Sequence, residues 1–535
     1  MRKLISFLFL SVIITFPLGA QTYPKEGSLL NYRLIGFRFP QVQDFSNCTL
    51  EVAIGNQTTK SDFNKNIVLS LKTEKNRIIG EVPYFGKEYT WRIRCSKNGN
   101  DSMSNVYHHF KTGITRMVDS NYVRVVVFKD AEKYQDAHVF MDGTGVLYDM
   151  KGHPVWYLPG KDSLGADGDI KLTPQGTITF MSEKATKNIY EINYNGDTLW
   201  TGPNKGKVSG DKTEYYNHEF TRLSNGHYMV LGEERVLWTP VISKDSTLSA
   251  PVHHANRKSK QIADSEGTRT GFGTVIEYDP SGKVVWSWKS WDFFKRVDST
   301  LLNSINYNYR PKVQKQLLDV HQNSFYFDEK EKVLYLSYRG ISTILKIKYP
   351  EGTVLNVYGK LLGDFGDETG TEWFCGQHSI KISQDGYLYL FNNNKCSEGA
   401  PPSVIMMQQP TTTDDKLKKV WEFNCTNDDV IAQKQKETLE PGYANGLKLN
   451  PQIPQVITFD RGGNVVELPD KSIFVDECGK VGKVFIVNRD KQVIWSALPE
   501  SFGSELHIWN AVTNYRASII TDPKDLEKLI FNTGK

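Results

Sequence analysis

The stretch VIEYDPSGKVVWSW, residues 275–288, is an alternating segment, a turn rich in Asp, Pro, Ser and Gly, and a second alternating segment that closes on tryptophan. Period-two alternation around a glycine-bearing turn predicts an antiparallel β-hairpin. The same unit recurs as VLYDMKGHPVWYL (146–158), IYEINYNGDTLW (189–200), ILKIKYPEGTVLNVY (344–358), VIMMQQPTTTDDKLKKVWEF (404–423) and VFIVNRDKQVIWSA (484–497). Opening hairpin halves precede most of these, among them HEFTRLSNGHYMVL, HQNSFYFDEKEKVLYLS and QHSIKISQDGYLYLF. An opening and a closing half together make four antiparallel strands, the make-up of one propeller blade. Six closing halves therefore predict an all-β chain with a six-bladed β-propeller over residues 115–535. A seven-bladed propeller and a split sandwich are the alternatives. The long intervals 233–272, 290–318 and 425–460 are expected to form loops that roof a central channel.

Residues 21–114 alternate differently, through LNYRLIGFRF, CTLEVAIG, NIVLSLKT and YTWRIRC, and predict a small N-terminal β-sandwich domain. Residues 1–20, MRKLISFLFLSVIITFPLGA, combine Arg2 and Lys3 with a short apolar run and small residues, the pattern of a Sec signal peptide rather than a membrane span. A periplasmic or secreted protein is expected. The formal charge is +4 with 24% charged residues, which argues against nucleic acid or a membrane surface as partner. Six cysteines in an exported chain make disulfides the default, and no CxxC spacing suggests structural zinc. Cys48 with Cys95 and Cys375 with Cys396 are the simplest pairings, although sequence leaves the connectivity open.

Candidate chemistry comes from register. His378 lies eight residues before Gly386 of its turn, and His218 lies eight before Gly226. The same count reaches Gly168 and Gly463 in two other units, and His321 opens the remaining hairpin of this kind, whose turn is longer. First strands of propeller blades line the channel, so residues in equal register converge near its axis. Three imidazoles are expected at one end, with the glycines leaving room for a ligand. Asn323 follows His321 by two residues and shares its side of the strand. Arg339, at the end of the paired strand in LSYRG, returns to the same end, where a guanidinium fork suits a tetrahedral oxyanion; pairing with Asp364 or Asp367 is the alternative. Tyr215, Tyr216, Trp373 and Phe374 precede two of the histidines and could stack on a flat ring.

The phrases NHEFTRLSNG, DVHQNS followed by LSYRG, GQHSIKISQDGYLYLFNN and NYRAS (514–518) resemble the bacterial arylsulfate sulfotransferase family. The resemblance implies an exported six-bladed propeller that moves a sulfuryl group from a phenolic sulfate ester to a phenol acceptor without a nucleotide donor or other cofactor. It implies that His378 is transiently sulfurylated, that His218 and His321 handle protons and bind sulfuryl oxygens, and that Asn323 and Arg339 bind the anion. It also permits a homodimer. NHEF and FNNN depart from the family's usual phrases at those places, which bears on acceptor choice. Independently of the family, a neutral imidazole is a good nucleophile and sulfuryl transfer needs cationic donors around the equatorial oxygens.

Two other classes of function use the same residues. Three imidazoles can ligate a divalent metal in a propeller lyase or hydrolase, against which a neighbouring guanidinium counts. A non-catalytic ligand-binding propeller is the other. His253 and His254 lie in a polar loop, His227 needs no role, and LLGDFGDETG (361–370) lacks the helix that a phosphate cradle requires.

Overall fold

A computed structural model of the chain describes residues 22–40, 47–97, 100–103, 106–160, 167–182, 188–238, 268–297, 299–306, 320–359, 373–397, 400–411, 417–437, 462–478, 482–503 and 508–532. The expected signal peptide, His253, His254, Asp364, Asp367 and much of each long loop lie outside these. The chain divides into two compact units, Met1–Gly113 and Ile114–Lys535. Both are built of strands.

In the first unit a six-stranded sheet contains the adjacent strands Asn47–Ile54 and Glu88–Lys97, and a two-stranded sheet pairs Leu34–Arg38 with Arg77–Glu81. Alternation puts Leu50, Val52, Trp91 and Phe110 inside. The Phe37 ring meets Trp91 edge-on at 5.3 Å, the geometry the ring quadrupoles favour. Cys48 stands opposite Cys95 in the ladder, and the two are joined as a disulfide.

The second unit holds six sheets among its described residues, and each takes consecutive strands except the first and the sixth, to which Val123–Lys129 adds a strand beside Val493–Gly503. The second to fifth sheets start at Asp167–Leu172, Phe220–Arg222, Gln322–Asp328 and His378–Ile382 and run outward through antiparallel neighbours. The sixth starts at Asn464–Glu467. In the first sheet the inner strand is Ala517–Ile520, paired with His138–Met141, so a strand near the end of the described chain completes that sheet. Each sheet touches the next, and the sixth touches the first through Asn464–Glu467 and Ala517–Ile520.

Two belts of polar contacts tie this ring together, and the sequence explains both. On the outside, the aromatic that closes each hairpin reaches the following sheet. Trp156 Nε1 donates to the Tyr194 carbonyl at 2.7 Å, Trp288 to Gly352 at 3.0 Å, Trp421 to Arg489 at 2.9 Å and Trp495 to Met150 at 2.9 Å. Where the closing residue reaches differently, Trp200 stacks on Tyr228 at 3.8 Å and the Tyr358 hydroxyl donates to Gln409 Oε1 at 3.3 Å. A buried indole N–H needs an acceptor, and turn carbonyls are the orphans that supply one.

On the inside, one polar side chain per sheet bonds the inner strand of the next. Asp169 accepts from Phe220 N at 2.8 Å, Glu219 from Phe325 N at 3.0 Å, Ser324 from Ile380 N at 3.3 Å and Ser379 from Val465 N at 3.2 Å. Asn464 Nδ2 donates to the Ala517 carbonyl at 2.7 Å, and Ser518 Oγ to the Ile170 carbonyl at 2.8 Å. Inner strands have one unpaired edge, and these side chains satisfy it without another strand.

The loops expected over 233–272, 290–318 and 425–460 are partly regular. Tyr228–Trp238 and Thr268–Tyr278 stay paired through their full length, and short helices occupy Ser290–Phe294, Ser299–Ile305 and Asp428–Glu437. Cys375 and Cys396 form the second disulfide, while Cys425 and Cys478 remain buried thiols. The even number of cysteines therefore does not mean that all are paired.

Candidate active site

The inner belt defines equivalent positions better than counting from turns does. The residue ahead of each belt member is Gly168, His218, Asn323, His378 and Gly463 in the second to sixth sheets. Asn323, and not His321, therefore matches His218 and His378. The longer turn of the fourth unit hid this shift. His321 stands two residues earlier, as Tyr515 stands two before Ala517. His218 and His321 adopt left-handed backbone conformations, with φ of 60° and 54°. Such positions cost a non-glycine residue about 1–3 kcal/mol and cluster where geometry serves function.

The imidazoles converge. The His218 and His321 rings lie 5.0 Å apart between centroids, and Tyr515 lies 5.7 Å from His218 and 6.4 Å from His378. Arg339 follows its strand directly, and its backbone N–H donates to the His321 carbonyl at 2.9 Å. The Arg339 charge acts on both His218 and His378. His378 is almost wholly buried. The three histidines and Arg339 thus share one site, while among the described residues no group of three or more His, Cys, Asp or Glu side chains is disposed to hold a metal ion.

Hydrogen bonds fix the tautomer of His378. Asn393 Nδ2 donates to the Gly462 carbonyl at 3.1 Å, which turns Asn393 Oδ1 toward His378 Nδ1 at 2.7 Å. Nδ1 therefore carries the proton and Nε2 the lone pair, which accepts from Gly462 N–H at 3.1 Å. Burial, then the Arg339 charge, holds the proton affinity of His378 well below the usual imidazole range. Burial, then His321 and His378, does the same to His218. Both rings are neutral at pH 7. The His218 and His378 rings are therefore not the cationic donors that sulfuryl transfer needs, which a guanidinium such as Arg339 can supply.

Asn323 is fully buried, and its Nδ2 donates to the Gln377 carbonyl at 2.7 Å, which fixes the peptide just before His378. Its Oδ1 has no hydrogen-bond partner among the described residues. Gly463 does not leave room for a ligand: a Cβ there would lie 2.2 Å from the Phe391 ring, and its φ is 108°. Gly168 does leave space, since the nearest atom to such a Cβ is Asp142 Oδ2 at 3.5 Å. Tyr216 and Phe374 are buried in hydrophobic clusters, and Tyr215 faces the Arg235 guanidinium at 4.3 Å. Packing thus accounts for Tyr216 and Phe374.

Three residues escaped the reading of the sequence. Tyr515 hydrogen-bonds His218 Nδ1 through its hydroxyl at 2.5 Å, and Arg516 is a second guanidinium, 3% exposed. The signal for both was the quoted NYRAS, which precedes the strand that completes the first sheet. Lys395 lies behind Arg339, and burial followed by the Arg339 charge brings its pKa down to about 8. The departure FNNN has a local explanation. Asn392 Oδ1 accepts from Cys375 N at 2.9 Å and its Nδ2 donates to Trp373 O at 2.8 Å, so this amide clamps the chain leading into His378.

No curated protein matches the chain. Solved structures similar to it include a protein of unknown function from Bacteroides caccae, with 11% identity over 72% of this chain and 99% of that one at a TM-score of 0.37. The periplasmic gluconolactonase of Pseudomonas aeruginosa shows 8% identity over 75% and 100% at 0.34. Apo AztD of Citrobacter koseri shows 9% over 89% and 98% at 0.27. None of these bears on function. Residues 244–416, which carry His321, Asn323, Arg339 and His378, match the family model Arylsulfotransferase (ASST).

Proposed function

We propose that the protein is a nucleotide-independent aryl sulfotransferase that works through a sulfo-histidine, on a scaffold whose six sheets are the blades of a β-propeller. The family match supports aryl sulfotransferase activity at family level. The observation that carries the mechanism is the fixed tautomer of His378, with a proton held at Nδ1 and a lone pair at Nε2.

In the first half-reaction the Nε2 lone pair exchanges the Gly462 N–H for the ester sulfur. The N–S bond forms as the S–O bond to the phenol breaks. The aryl oxygen leaves as the phenolate, because the neutral His218 ring beside it has no acidic proton to give. The imidazole becomes an N-sulfo-imidazolium whose Nδ1–H stays on Asn393 Oδ1. In the second half-reaction an acceptor phenol gives its proton to His218 or His321, whose rings adjoin, and attacks sulfur, and the N–S electron pair returns to Nε2. Arg339 faces the negative equatorial oxygens, where a preorganised cation is most effective. Burial of the site limits water as a competing acceptor.

The N-terminal segment and the two disulfides accord with export, and no helix among the described residues is long and apolar enough to cross a membrane. The domains proposed are a signal peptide (1–20), a β-sandwich (21–114) and the propeller (115–535). The test is turnover. Purified protein given a chromogenic aryl sulfate is expected to release more than one phenol per site only when a second phenol is present, and His378→Ala is expected to abolish release. Release that depends on a metal, or that survives the substitution, would overturn the reading.

A further inference from the structure

Arg516 belongs to none of the roles above, yet it sits where the inner belt meets the site. Its NH1 lies 3.4 Å from Glu219 Oε1, its Nε 3.9 Å from Asp169 Oδ1, and its NH2 donates to the Asn323 carbonyl at 3.0 Å. Its backbone N–H donates to Asp142 Oδ2 at 2.8 Å, and Asp142 also takes Tyr515 N at 2.9 Å and Asp169 N at 3.2 Å. Asp169 and Glu219 are the belt members that grip the third and fourth sheets. One side chain therefore bridges the sheets that present Gly168, His218 and Asn323, from the strand that completes the first.

We propose that Arg516 is a positioning residue for this site: a buried guanidinium that locks the His218 and Asn323 strand starts together and acts on the imidazoles through its charge. This rests on the transferase reading for its functional meaning, though its physical part does not.

The electrostatic surroundings make the argument specific. The groups facing His218 and His378 are His321, Tyr515, Arg339, Arg516 and each other. Lys395 stands behind Arg339. Around Arg516 lie the carboxylates Asp169 and Glu219 and the ammonium groups Lys171 and Lys381. The carboxyl groups of Asp142 and Asp476 border the same cluster. Arg516 lowers the proton affinity of both His218 and His378. A neutral His378 is what nucleophilic attack requires.

The experiment is an NMR titration of histidine-labelled protein, paired with the pH profile of kcat/KM for an aryl sulfate donor. In Arg516→Met the His378 and His218 titrations and the acid limb of the profile are expected to move up by about one pH unit, since a unit charge at several ångströms in a partly solvated interior has that reach. Glu219→Gln removes a negative charge beside Arg516 and is expected to move them down, a result that does not depend on the first variant folding. Arg516→Lys is expected to keep the wild-type profile while raising KM. Unmoved titrations in Arg516→Met or in Glu219→Gln would overturn the proposal. Because the titrations need no turnover, absence of sulfotransferase activity with shifted histidines would refute the proposed function and leave the role of Arg516 standing.

Discussion

Replacing Asn393 by alanine tests the chemistry of His378 without touching a reacting atom. Asn393 Oδ1 is 2.7 Å from His378 Nδ1, and its Nδ2 holds the Gly462 carbonyl at 3.1 Å. Removing it deprives a buried N–H of its acceptor and frees the ring to take the other tautomer, in which an Nε2 proton would confront Gly462 N–H. In the sulfo-histidine state Nδ1–H belongs to a cation, and a hydrogen bond to a charged group contributes about 1.5–3 kcal/mol. At 1.36 kcal/mol per decade this is about a ten- to hundredfold loss in kcat/KM for the donor. The assay is phenolate release from a chromogenic aryl sulfate at saturating acceptor, compared with Asn393→Asp. The carboxylate would stabilise the imidazolium, so in that variant the second half-reaction is expected to become limiting and a burst of one phenolate per site to appear. Asn393→Ala activity within twofold of wild type would show that the tautomer argument is wrong.

Two further outcomes follow from burial and from the outer belt. His218 and His378 bind their proton more weakly in the folded chain than in the unfolded one, mainly through burial, so the unfolded state gains protons first on acidification. Stability is therefore expected to fall as pH drops below about 6.5, the ordinary imidazole value, with no histidine contribution to its pH dependence above it. Denaturant midpoints across pH 5–8 measure this, and His378→Asn should flatten part of the slope. Trp156→Phe keeps the aromatic packing but leaves the Tyr194 carbonyl without its donor, and is expected to cost about 1–3 kcal/mol in chemical unfolding. An unchanged midpoint would deny the closing tryptophans their role as latches between sheets.

How much of this was legible depended on whether the determinant was local. The hairpins were, because alternation and turn residues are read within about a dozen positions, and all six closing halves lie in separate sheets. The first closing half lacked an opening partner, and that gap was the only hint that a distant strand, Ala517–Ile520, completes its sheet. Long-range pairing leaves no local trace, so Tyr515 and Arg516 went unassigned although their motif was noticed. Counting from turns placed His218 and His378 correctly relative to the inner belt but misplaced His321 by two residues in favour of Asn323. A longer turn is visible in sequence; the register that its strands take is not. Gly463 looked like open space, yet Phe391 fills it.

The most direct test of the whole account is the mass of the histidine-bearing peptides after the protein is mixed with an aryl sulfate in the absence of acceptor and quenched at alkaline pH. The peptide containing His378 should gain the mass of one sulfuryl group and lose it when phenol is added before the quench. No adduct during turnover, or an adduct on His218 or His321 in its place, would contradict it.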